Sequence, residues 1–171
     1  MSSWTKSLSG VVVVLVAFVG GGCGSSSSQS GESQAVFRAK ANAVCTKAKE
    51  QVEQLARTYP QVFNEQSSPT PAEAAKPLAE LLSLGEDERR QMSMITPPAE
   101  DQGAYTEMLA SFDMGIRKLA TVVQAADAGN QEGMKAAEDE LNSSSSGRDQ
   151  KLKTTFTSLG LVACAEAAVQ R

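Results

Sequence analysis

Between Tyr105 and Ala126 the apolar residues Tyr105, Met108, Phe112, Ile116, Leu119, Val123 and Ala126 recur at steps of three or four. That spacing is one face of an α-helix; a strand repeats its face every second residue and does not present it. Leu109 and Val122 widen the stripe. Gly129 fits a C-terminal cap and Asn130 the N-cap of the next segment.

The same period organises the rest of the chain. From about Glu32 to Thr58 the stripe is Phe37, Ala41, Val44, Ala48, Val52 and Leu55, with Cys45 at its edge, and Pro60 stops it. Residues 59–69 read as a loop with Val62 and Phe63 tucked back. Thr70, Pro71 and Glu73 stand at capping-box spacing and open a second helix through Ala74, Leu78, Leu81, Gly85, Met92 and Ile95. Gly85 leaves room for a kink there, and Pro97 and Pro98 end it. A fourth stripe, Met134, Ala137 and Leu141, resumes in phase as Leu152, Phe156 and Leu159. The weak helix former Ser143–Gly147 lies between its halves, so one long helix, frayed or kinked there, is expected. Leu159-Gly160-Leu161 then bends the chain into a short helical piece carrying Cys164.

Aromatic residues make up only 5% of the chain, and the single tryptophan, Trp4, precedes the first stripe. A core of Ala, Leu, Val and Met suits close helix packing better than a sheet. The expectation is an all-α domain, an up-down four-helix bundle with short connections.

Ahead of the bundle, Lys6 precedes an apolar run, Val11 to Val19, which is followed by Gly20, Gly21, Gly22 and Cys23. The run is about half the roughly 20 residues that a membrane-spanning helix needs, and its flanks are those of a secretory signal. It resembles a bacterial lipoprotein signal, in which the cysteine receives diacylglycerol and becomes the new amino terminus. Gly20 stands where such signals usually carry Leu, and ordinary cleavage at the glycines would leave Cys23 a free thiol. The polar stretch Gly24–Gly31 (GSSSSQSG) reads as a flexible tether and favours lipidation. Residues 1–22 are then signal peptide, 23–31 lipidated Cys23 and tether, and 32–171 the helical domain. The expected location is the extracytoplasmic face of the cell membrane, held by acyl chains such as palmitate.

With Cys23 assigned to the anchor, Cys45 and Cys164 remain as an even pair in an exported chain. No CxxC and no histidine accompany them, so a structural disulfide outweighs a redox or Cys/His metal pair. The combination Phe37-x-x-x-Ala41-Asn42-x-x-Cys45 with Leu159-Gly160-Leu161-x-x-Cys164, and the mid-chain turn Thr96-Pro97-Pro98, is similar to a group of small exported proteins of high-GC Gram-positive bacteria. The resemblance spans about residues 37–164 and implies a disulfide-clipped helical fold, commonly lipid-anchored, without implying a reaction.

Removing residues 1–22 takes away Lys6 alone among charged side chains and leaves a net charge of −5. An acidic domain without a basic stripe does not suit nucleic acid or electrostatic adhesion to anionic lipid. Nucleophilic hydrolysis lacks its usual histidine base. Glu86, Asp87, Glu88 and Glu138, Asp139, Glu140 are carboxylate candidates by type, but such runs are ordinarily solvated helix faces. Met92, Met94, Met108, Met114 and Met134 read as core filling rather than a copper site, and Arg148, on the inner face of the fourth segment, as a snorkelling side chain. Neither metal nor cofactor is expected. The functional expectation is a non-catalytic interaction module of the cell envelope with a protein partner; the alternative is a carrier for a small apolar ligand or lipid in the bundle core.

Overall fold

A computed structural model describes residues 33–64, 67–143 and 145–169, with side chains for all of these except 145–149, 168 and 169. Among the described residues there are seven α-helices and no strand. They are α1 (Gln34–Thr58), α2 (Pro60–Phe63), α3 (Pro71–Ser93), α4 (Gln102–Asp127), α5 (Gln131–Ser143), α6 (Ser145–Leu159) and α7 (Val162–Val169). A 3-10 turn, Ala99–Asp101, leads into α4. The helical bundle expected from the periodicity is present, and α2 is an addition to it. Pro60 ends α1, but it also occupies the first position of α2, where its missing N–H costs nothing. Val62 packs under the core, as its apolar character suggests.

The caps explain where the helices start and stop. At the head of α3, Thr70 Oγ1 accepts the Glu73 N–H at 3.4 Å, and the Glu73 carboxylate accepts the Thr70 N–H at 2.9 Å and hydroxyl at 2.7 Å. At the end of α4, Gly129 has φ +67°, and the Asn130 N–H reaches back to the Ala125 carbonyl. Asn130 Oδ1 then accepts the Gly133 N–H at 2.9 Å and starts α5. Pro77 lies inside α3 and removes one hydrogen bond from it, yet the residue is wholly buried in the core. The region expected to fray spans residue 144, which lies outside the described residues; the chain is helical on both sides of it.

α1 packs on α3, α3 on α4, α4 on α5 and α6, and α7 returns to α1. The core forms two clusters. One gathers around the disulfide and includes Phe37, Met92, Tyr105, Met108, Phe156 and Leu161. The other, towards the opposite end, joins Ala74, Leu78, Val122, Val123, Ala126 and Met134. The Phe37 and Tyr105 rings meet edge to face at 5.3 Å, and the buried Tyr105 hydroxyl donates to the Met92 carbonyl at 2.7 Å. Desolvation pushes the Tyr105 phenol up to about 12, against a smaller opposing effect of the Arg89 charge. Phe112 and Phe156 link α4 to α6 with centroids 6.2 Å apart.

α3 runs on unbroken through Gly85. A Cβ there would meet Ile116 Cγ1 at 3.7 Å, an ordinary contact, so Gly85→Ala should raise stability by about 0.4–1 kcal/mol in urea titration. The capping box gives a pH signature. Hydrogen bonds from the Thr70 backbone and side chain hold the Glu73 carboxyl below its ordinary 4.5, so its contribution is complete above that value and fades as pH falls through the folded one. The stability advantage of the wild type over Glu73→Gln should therefore be full at neutral pH and shrink progressively as the solution is acidified below pH 4.5, read in thermal melts.

Candidate functional site

Arg38, Asn42 and Cys45 follow one another on α1 at steps of four and three, and so share a face beside the core stripe. That face holds the junction between α6 and α7. Arg38 Nε donates to the Leu159 carbonyl at 3.0 Å, and Asn42 Nδ2 to the Gly160 carbonyl at 3.4 Å. Asn42 Oδ1 accepts the Ala163 N–H at 2.9 Å. The last carbonyls of one helix and a first N–H of the next have no partners within their own helices, and two side chains of α1 supply both kinds.

The junction is tight. Gly160 has φ +71°, the Leu161 N–H returns to the Phe156 carbonyl at 2.8 Å, and a Cβ on Gly160 would fall 2.5 Å from Arg38 Nε. One turn further along α1, Cys45 and Cys164 are joined, with Cα atoms 5.0 Å apart and both residues buried. The terminal segment thus lies alongside the middle of α1, the placement that the bridge requires. Cys23 lies outside the described residues. The sequence assigns Arg38 no role and places Asn42 only within the Cys45 motif; their phase with Cys45 is the available signal.

The acidic runs are less uniform than solvated faces would be. Glu88 is 4% exposed, which corrects the expectation for that residue. It falls on the side of α3 that carries Met92 and Leu78, so the helical phase turns it inward. Its neighbour Arg89 bridges to α4, with Nη2 donating to Asp113 Oδ2 at 3.0 Å. Arg89 Nε lies 2.9 Å from Asp113 Oδ1 but is not aligned for a hydrogen bond, so the contact there is an ion pair. Glu138 has its carboxyl raised above the ordinary value, by burial first and by the charge of Asp139 second. Glu140 pairs with Lys118 across α4 and α5 at 3.4 Å.

Met92, Met108 and Met134 fill the core, while Met94 and Met114 are exposed. The side chain of Arg148 is not among those described. Among the described residues no three His, Cys, Asp or Glu side chains converge as metal ligands. Nor is any described helix long and apolar enough to cross a membrane. Between α1 and α3 an open groove of about 490 Å³ is lined by Glu50, Gln51, Gln54, Leu55, Thr58, Glu80, Ser83 and Leu84. A second, also open, runs over Gln150, Lys153, Thr154, Thr157 and Ser158. Glu88 and Glu138 line neither groove.

No family model, curated protein or solved structure matches this chain.

The junction predicts a ranking of substitutions. Asn42→Ala removes the acceptor of a partly buried N–H and should cost about 1–3 kcal/mol in denaturant unfolding. Asn42→Asp keeps that acceptor and should cost less. Gly160→Ala combines a left-handed backbone with a clash against Arg38 and should exceed about 1 kcal/mol. Equal, negligible effects at both positions would mean that the junction is held by the disulfide alone.

Proposed function

We propose that this chain is a lipoprotein anchored through Cys23 on the extracytoplasmic face of the cell membrane, a non-catalytic module that presents helix faces to a protein partner in the cell envelope. The observation that carries the reading is the pairing of Cys45 with Cys164. It accounts for two of the three cysteines and leaves Cys23 alone, ten residues before Ser33, behind an apolar run and three glycines. A buried disulfide also suits an oxidising compartment.

The finer architecture belongs to the same proposal. α1, α3, α4 and the α5–α6 pair are the four long segments of an up-down bundle. Contacts between successive segments support it: Met92 at the end of α3 meets Tyr105 at the start of α4, and Glu107 near the start of α4 pairs with Lys151 in the later half of the α5–α6 pair. The two described grooves are open to solvent and not enclosed, which favours a protein partner over a sequestered apolar ligand.

Cellular fractionation with intact-mass measurement tests the anchor. The wild type should sediment with membranes and carry acyl mass on a chain starting at Cys23, gaining two hydrogens on reduction of one disulfide. Cys23→Ser should appear in the soluble fraction. A wild-type chain without acyl mass, or a Cys23→Ser chain still held on the membrane, would overturn the proposal.

A further inference from the structure

Four large apolar side chains stand exposed among those described: Val36, Met94, Met114 and Val162. Met114 lies midway along α4. The other three lie at one end of the domain. Val36 is in the first turn of α1, Met94 caps the end of α3, and Val162 opens α7. That these termini share an end is shown by contacts between them. Gln34 reaches Asp101 at 3.5 Å, Arg38 binds the Leu159 carbonyl, and Tyr105 binds the carbonyl of Met92. Met94 is 71% exposed and Val162 61%.

The chain that precedes Ser33 enters at this same end. Nine residues, 24–32, separate Cys23 from Ser33. Fully extended, ten steps of chain reach roughly 35 Å; as a Gly/Ser-rich coil they average about 17 Å. A lipid at Cys23 would therefore keep this end near the bilayer, whereas the far end, a further α1 length of about 37 Å away, lies beyond the tether's average reach.

We infer that the domain rests on the lipid surface by this end, with Val36, Met94 and Val162 entering the interface and the far turns, Tyr59–Asn64 and Ala128–Asn130, pointing away. The inference rests on the anchoring proposed above. Isolated apolar side chains bind a bilayer weakly, but tethering makes their contact intramolecular, so little affinity is needed. The contact is apolar and not electrostatic, because Glu100 and Asp101 sit at this end and the mature chain is net acidic. Anchor and apolar contact together fix the orientation of the domain, which leaves the far end of the bundle for the partner.

Trp4 is the only tryptophan and precedes Cys23, so the mature chain offers a clean background for single reporters. Met94→Trp, Val162→Trp and, at the far end, Ala128→Trp are made in the full chain; all three positions are exposed. Each variant is isolated in its native processed form and reconstituted into phosphatidylcholine vesicles with brominated acyl chains. Flotation reads the anchor and tryptophan quenching reads the contact. Strong, salt-insensitive quenching at positions 94 and 162, several-fold above that at 128, is the expected result. Flotation with equal quenching at all three positions, or quenching abolished by high salt, overturns the surface contact and leaves the anchor standing. A chain that fails to float overturns the anchor and this inference with it.

Discussion

The grip of α1 on the junction between α6 and α7 is the interaction on which the rest of the packing depends. Arg38 and Asn42 satisfy the end of one helix and the start of another, and the Cys45–Cys164 bridge closes a loop with a sequence separation of 119. On the chain-entropy model such a loop is worth roughly 4–5 kcal/mol. A small domain typically has about 5–15 kcal/mol in all. The nearer of the two core clusters is built around this junction, with Leu159, Leu161 and Cys164 supplying its floor and Phe37, Ala41 and Cys45 its wall.

Beyond the junction the helices are held by contacts of a different kind. The middle of α4 is only partly covered: Phe112, Ile116 and Leu119 all retain some exposure between the two clusters. Paired charges span this stretch, Arg89 with Asp113 across α3 and α4, and Lys118 with Glu140 across α4 and α5. Each is partly solvated, so its role is to fix the register of neighbouring helices more than to add stability.

Much of this architecture was legible in the residues. The three-and-four spacing from Tyr105 to Ala126, the Thr70–Glu73 box and the Gly129-Asn130 pair locate α3, α4 and the start of α5 because each acts locally, within a turn or two of chain. Gly160 announced a bend for the same reason. Glu88 was misplaced because a carboxylate in a charged run is ordinarily solvated, although its phase with Leu78 and Met92 already set it on the covered side of α3. Pro60 signals a stop and not also a start, since a one-turn helix has no periodicity to detect. Arg38 and Asn42 were invisible in function because their partners are backbone groups more than a hundred residues away. Carbonyls and amides carry no sequence signature. The candidate anchor at Cys23 is the reverse case, a reading that rests on sequence pattern alone.

The position of the bridge also decides how the domain carries a mechanical load. Tension applied between Ser33 and the far end of α7 travels along α1 to Cys45, crosses the sulfur atoms and leaves through α7. The intervening chain, which contains most of both core clusters, is bypassed and stays slack. A pulled domain of this design can fray its first turns and its last helix and still keep the helices between them folded.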